Sequence, residues 1–81
     1  MLKNRYEIGD VIDATVTSVT HFGVFARLDL GIEGLIHVSS FEANNSRQEL
    51  TKLYPVGNPI RVKIIHIDID KRRLGLRLAV N

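Results

Sequence analysis

The feature that most constrains the fold is a succession of short β-type segments separated by turn residues. In residues 11–20, Ile12, Ala14 and Val16 alternate with polar residues, which is the period-2 pattern of a strand with one buried face. Leucines alternate with Arg and Gly in the same way over residues 73–78. Three further apolar or β-branched segments complete five predicted strands, and they cover residues 24–28, 34–38 and 60–69.

The connections between these segments limit the architecture further. Asp29-Leu30-Gly31 and Asp70-Lys71-Arg72 are typical of tight turns. The connection between the third and fourth strands is longer and polar, and Ser46 with Glu49 has the capping-box spacing of a short helix. No helix recurs between strands, so a parallel α/β fold is not indicated. The pattern predicts an all-β protein, a small closed five-stranded barrel rather than a sandwich.

Composition excludes several classes of protein. The 81 residues suffice for one small domain, and there is no Cys to form a disulfide or a thiolate metal site. No apolar run approaches the roughly 20 residues of a membrane span, and the amino terminus has no signal-peptide core. His21, His37 and His66 lack metal-ligand spacing, and no nucleophile–base pair or phosphate-binding glycine loop is present. We therefore expect a soluble intracellular domain that has no cofactor and is not an enzyme.

Positive charge is concentrated at one end of the sequence. The net charge is only +2, but residues 61–81 carry six Lys or Arg against two Asp, whereas residues 1–60 carry five Lys or Arg against seven acidic residues. This asymmetry is consistent with a basic stripe on one face, as nucleic-acid-binding domains have. On charge alone, a solvated outer face of a strand pair explains it as well.

The few aromatic residues are placed unusually. Only five of 81 residues are Phe or Tyr, yet Phe22-Gly23-Val24-Phe25 brings two together, and His37 closes the third strand. Strict alternation would put Phe22 and Phe25 on opposite faces of a strand. A bend at Gly23 could bring both to one face, where they would form a platform for unstacked bases. From periodicity alone, Phe25 in the core is equally compatible.

The motifs lie in a distinctive order along the chain. They are Gly9-Asp10-Val11, Phe22-Gly23-Val24-Phe25, Glu33-Gly34-Leu35-Ile36-His37-Val38-Ser39, Val62-Lys63-Ile64, Asp68 and Arg73-Leu74-Gly75-Leu76. In this order and with these gaps, the chain resembles the S1 RNA-binding domain family, a branch of the OB-fold. It is most similar to the repeats of bacterial ribosomal S1 proteins.

The resemblance implies a five-stranded antiparallel Greek-key β-barrel that binds single-stranded RNA. In the family, the RNA face combines two aromatic residues, a histidine, an aspartate and an arginine. Carried over to this sequence, these are Phe22, Phe25, His37, Asp68 and Arg73. Phosphate contacts are also expected from Lys63, Arg77 and Lys71. The family often has Ser where this chain has Arg77, which adds one positive charge to the last strand.

Some of these side chains have a simpler explanation. Asp68 could cap the turn that follows it, and a histidine beside apolar residues is more often structural than functional. His66 is expected on the outer face of the fourth strand in a structural role, and His21 is peripheral. Residues 43–52 match no family pattern and are candidates for choosing partners.

These observations predict single-stranded RNA binding with little sequence specificity, in translation at the ribosome or in RNA metabolism. The expected partners are mRNA and the ribosome or RNA-processing proteins, with no membrane, in the cytoplasm. The main alternative is an OB module that docks on proteins and binds RNA weakly or not at all, and a cold-shock-type barrel is a further one. Residues 1–81, with a core over 9–78, are expected to form one monomeric module of a longer protein.

Overall fold

The computed structural model describes residues 6–29, 31–41 and 47–79. Five strands account for most of this part of the chain. They are β1 (Val11–Thr20), β2 (Gly23–Asp29), β3 (Ile32–His37), β4 (Pro59–Asp68) and β5 (Arg73–Leu78). Each predicted strand is present, with bounds that differ from the expected ones by no more than two residues.

The strands close into a barrel in the order β1-β2-β3-β5-β4, with β4 returning to pair with β1. The predicted five-stranded barrel is confirmed. All pairings are antiparallel except that of β3 with β5, which run side by side in the same direction. A parallel pair requires a long connection, and the polar segment between β3 and β4 together with β4 itself supplies it.

The core follows directly from the alternation in the sequence. Because successive side chains of a strand point to opposite faces, one set from each strand fills the barrel. The buried strand residues are Ala14, Val16, Val24, Ala26, Ile36, Ile60, Val62, Ile64, Leu74 and Leu76. Ile12 and Leu78, which the same alternation predicted to be inside, are only partly buried and pack against this cluster from the strand ends.

The connection between β3 and β4 adds to the core. A 3-10 helix, Val38–Ser40, follows β3 directly, and the α-helix α1 covers Arg47–Leu53. Leu50 of α1 is fully buried among the strand residues, and the rings of Phe41 and Tyr54 lie 5.3 Å apart between centroids. The predicted short helix is therefore present, whereas its proposed cap at Ser46 lies outside the described residues.

Candidate nucleic-acid interface

The orientation of Phe25 is decided by its neighbours in β2. Val24 and Ala26 are fully buried, so the alternate residues Phe25 and Arg27 face outward. Phe25 is half-buried on the outer surface of the barrel, where it lies between Ser18 of β1 and Leu35 of β3. Of the two interpretations that periodicity left open, the one that places Phe25 in the core is wrong.

Gly23 separates Phe22 from the regular strand. Its φ of +147° lies outside the range that residues with a side chain readily adopt, and a Cβ atom there would collide with the Ile36 carbonyl. Phe22 lies in the turn before β2 and is 68% exposed. Its backbone N–H donates to Thr20 Oγ1 at 3.1 Å, and its carbonyl accepts from Val38 N–H at 2.8 Å. These bonds fix the backbone of Phe22 beside the residue that follows β3, and its ring is exposed.

His37 is exposed at the end of β3, directly opposite Gly23 on β2. Its Nδ1 accepts a hydrogen bond from Ser39 N–H at 3.1 Å and lies 3.0 Å from Ser39 Oγ, so the ring caps the 3-10 helix. Since a nitrogen that accepts cannot carry the proton, the neutral ring is protonated at Nε2. Within the described chain Nε2 has no hydrogen-bond partner, so its N–H is available to a ligand.

An outward row crosses the barrel at the level of Phe25. Strand pairing aligns Phe25 with Leu35 of β3, Leu35 with Gly75 of β5, and Gly75 with His66 of β4. A Cβ atom on Gly75 would lie 2.9 Å from the His66 Cβ, so His66 leans directly over the glycine. The predicted outer position of His66 is confirmed. These four residues lie side by side across the outer surface of four strands.

A second outward row lies two residues further along the strands, about 7 Å away at the usual rise per residue. Pairing aligns Arg27 of β2 with Glu33 of β3, Glu33 with Arg73 of β5, and Arg73 with Asp68 of β4. Glu33 Oε2 accepts a hydrogen bond from Thr17 Oγ1 at 3.3 Å. We call Arg27, Glu33, Arg73 and Asp68 the charged row.

Asp68 has a defined structural role in this row. Its Oδ1 accepts the backbone N–H of Lys71 at 3.2 Å, and Arg72 N–H donates to the Ile69 carbonyl at 3.2 Å. Arg72 has a φ of 54°, the left-handed conformation that closes the turn. The turn-capping explanation of Asp68 is thus observed, and contact with RNA stays a prediction.

The remaining predicted cations lie further round the barrel. Lys63 of β4 is directly opposite Arg77 of β5, and both are exposed on the outer surface. Extending the parallel register of β3 and β5 one residue beyond the Ile36–Leu76 pair brings Arg77 towards His37. Lys71 is exposed in the turn before β5. All of the predicted site residues therefore lie on the outside of the barrel.

Sequence reasoning missed several residues of this face. Arg27 and Leu35 were not predicted as site residues, and His66 was given only a structural role. Their contribution depends on which strands pair and in what register, which no single segment shows. Among residues 6–29, 31–41 and 47–79 no group of three or more acidic or imidazole side chains could hold a metal ion. In the same residues, no helix has the length and apolar character needed to cross a membrane.

The sequence relates the chain to known proteins. The sequence model of the S1 RNA binding domain matches residues 5–78. The chain belongs to the S1 RNA-binding domain family. Similar curated proteins include the small ribosomal subunit protein bS1 of Pseudomonas aeruginosa, 39% identical over 75 residues, and that of Coxiella burnetii, 31% identical over 75 residues. Each alignment covers 93% of this S1 chain but only 13% and 14% of the respective bS1 protein.

Solved structures support the barrel. GSP13 from Bacillus subtilis superimposes with a TM-score of 0.77 at 27% identity, over 91% of this S1 chain and 56% of GSP13. A protein chain from the a/eIF2alpha–aDim2p–rRNA complex of Pyrococcus horikoshii gives a TM-score of 0.75 at 28% identity, over 90% of this chain and 44% of that one. The fold inferred from the resemblance is confirmed.

Proposed function

We propose that this S1 domain binds single-stranded RNA through the outer surface of β2, β3 and β5, with little preference for sequence. The observation that carries the proposal is the outward placement of Phe25, with the exposed His37 two residues along β3 from its partner Leu35 and the exposed Phe22 in the turn before β2. Aromatic rings that face solvent next to cations are what unpaired bases and their phosphates require. Membership of an RNA-binding family supports the same conclusion.

Stacking supplies the contact with bases. Each base stacked on an aromatic ring contributes about 1–3 kcal/mol, so three rings provide at most roughly 3–9 kcal/mol. Ordering a flexible RNA strand subtracts from that sum. A micromolar complex requires about −8 kcal/mol, so one domain alone should bind weakly. Since every base has a π-face, stacking discriminates little between sequences.

Polar groups at the edge of the rings orient the strand. The fixed His37 ring presents its Nε2–H to an acceptor, such as a phosphate oxygen or a 2′-hydroxyl. Arg73 and Lys71 at one end of the face, Arg77 at the other and Lys63 beside it on β4 are proposed to contact phosphates. If three or four of them do so, the logarithm of the binding constant should fall with the logarithm of salt concentration with a slope of roughly −2 to −3.

The relatives indicate the context. We propose that the domain is one module of a longer cytoplasmic protein that holds mRNA at the ribosome, and the relatives' name, small ribosomal subunit protein bS1, supports the ribosomal part of this proposal. Weak single-domain affinity fits this context, since linked modules bind one strand through effective concentration. In isolation the domain is proposed to be monomeric and to bind RNA without catalysing a reaction on it.

One observation favours docking on a protein as a second candidate. Ile8 and Ile65, on the outside of the barrel where the segment before β1 meets β4, are 66% and 49% exposed. Exposed apolar side chains of this kind can pack against a partner, such as a ribosomal protein or a neighbouring module.

The two candidates differ in which surface is essential. Fluorescence anisotropy of a labelled ten-residue oligo(U), measured at several salt concentrations, tests the RNA function. Saturable binding that Phe25→Ala weakens and Ile65→Ser leaves unchanged supports the proposal. Absence of binding at millimolar domain concentration would exclude it and favour docking.

A further inference from the structure

A depression lies beyond the charged row, between the β2–β3 turn and the β4–β5 turn. Its volume is about 340 Å³. The lining residues come from both turns and from the strands beside them, and they are Arg27, Gly31, Ile32, Glu33, Lys71, Arg72 and Arg73. Of the five residues that the family resemblance implies for RNA binding, only Arg73 lines the depression.

The charge of the lining is strongly positive. The lining holds four exposed cations and one carboxylate, that of Glu33, while Asp68 lies opposite Arg73 and Asp70 precedes Lys71 just outside the lining. Glu33 Oε2 is engaged by Thr17 on the β1 side of the strand. Among the described residues, none of the four cations forms a hydrogen bond or an ion pair through its side chain. Exposed cationic groups that are not already paired can turn towards an anion in the depression.

The backbone around the depression is held in place. Asp68 caps the β4–β5 turn, and the left-handed conformation of Arg72 fixes the direction in which its side chain leaves the turn. Arg27 and Arg73 extend from paired strands on either side of Glu33. Planar guanidinium groups presented in this way suit a phosphate, which they can bind through two parallel hydrogen bonds.

The depression is also continuous with the proposed RNA face. His37 and Glu33 are four residues apart on β3, which corresponds to about 13 Å at the usual strand rise. An RNA strand that stacks on Phe25 and runs along β3 towards Glu33 would bring its backbone over the depression.

We propose that this depression is a phosphodiester subsite for the same RNA strand, with Arg27 and Arg72 as binding residues beside Arg73 and Lys71. The inference rests on the proposed function, because the strand reaches the depression from the stacking surface. It assigns a binding role to Arg27 and Arg72, and it predicts that affinity depends on RNA that extends past the rings.

The test compares Arg27→Gln and Arg72→Gln with the matched control Arg61→Gln. Arg61 is also exposed on a strand, but it lies opposite Asp13 on the β1–β4 side of the barrel. The probes are a ten-residue oligo(U) and, separately, inorganic phosphate. Each depression variant should lose about two- to fivefold in affinity at low salt. Its salt slope should become shallower by about 0.7. The control should change neither quantity.

NMR spectra of the same samples separate the possible failures. If the arginine variants match Arg61→Gln while Phe25 and His37 still shift with RNA, the subsite is refuted and the proposed function stands. If RNA shifts none of these residues, both are refuted. If inorganic phosphate perturbs Arg27 and Arg72 but RNA does not, the depression takes free anions and the inferred RNA path is wrong. Dispersed spectra of every variant establish that it is folded.

Discussion

The two ends of the outer face are built by different means. At the ring end, Phe22 is held by backbone hydrogen bonds to Thr20 and Val38 beside the bend at Gly23, and His37 by its bond from Ser39 N–H. Phe25 is held by the pairing of β2 with both neighbouring strands. At the charged end, the cations are exposed on a strand pair and a turn, without side-chain partners in the described chain.

The difference reflects the range of the forces involved. A stacking contact requires a flat ring in one orientation, whereas a charge acts over several ångströms and tolerates a mobile side chain. We therefore expect mutations at the ring end to change affinity at every salt concentration. Mutations at the charged end should reduce RNA affinity mainly at low salt concentration.

The largest effect should come from the bend itself. Gly23→Ala would place a Cβ against the Ile36 carbonyl and require a φ unsuited to alanine, so the free energy of unfolding should fall by more than about 3 kcal/mol. Gly57→Ala is the matched control, because Gly57 has a φ of +91° with open space around it, and about 1 kcal/mol is expected there. Urea denaturation measures both. Equal losses of unfolding free energy would show that the close approach of Gly23 to the Ile36 carbonyl does not add to the cost of a side chain there.

Removal of a ring should have the next largest effect. Phe25→Ala should weaken oligo(U) binding by about 5- to 150-fold, which corresponds to 1–3 kcal/mol of stacking, and leave the salt slope unchanged. Phe25→Leu keeps an apolar side chain without a π-face and should lose nearly as much. Anisotropy titrations at low and high salt measure both quantities. A leucine variant that binds like wild type would mean that apolar contact rather than stacking is responsible.

His37 separates a binding role from a structural one. His37→Asn keeps an acceptor near the position of Nδ1 for the Ser39 N–H but removes the Nε2–H donor. His37→Ala removes both. We expect both variants to lose at least about tenfold in RNA affinity, because both remove the Nε2–H hydrogen bond and the stacking surface of the imidazole ring. Only the alanine variant should also lose stability, by about 1 kcal/mol, as for a lost helix cap. Thermal unfolding and anisotropy together test this, and an asparagine variant with full affinity would leave His37 only the capping role.

The smallest effect is expected at the charged end. Arg73→Gln should make the salt slope shallower by about 0.7 and reduce affinity only a few-fold at low salt. Binding at high salt should be nearly that of the wild type. A loss of affinity that is the same at all salt concentrations would place Arg73 in a base contact instead of a phosphate contact.

The sequence predicted the interior better than the exterior. Alternation located Ala14, Val16 and Leu76 in the core, because burial of one strand face imposes a period of two on the residue types. Alternation could not predict the orientation of the Phe22 side chain, because the unusual backbone conformation at Gly23 results from its close approach to the Ile36 carbonyl of β3. The alignment of Arg27 with Arg73 through Glu33 likewise depends on a parallel pairing between distant segments. Asp68 shows a further limit. An aspartate at this position caps the turn, and the predicted contact with RNA also requires an aspartate there, so the residue type alone does not distinguish the two roles.

The most direct test of the account is an NMR titration of the domain with a short single-stranded oligo(U). The account predicts fast-exchange shifts at Phe22, Phe25, His37 and Arg73, weak affinity, and unperturbed signals from the buried residues and from Ile65. Shifts confined to Ile8 and Ile65, or no shifts at millimolar RNA, would contradict the claim that the outer surface of β2, β3 and β5 binds RNA.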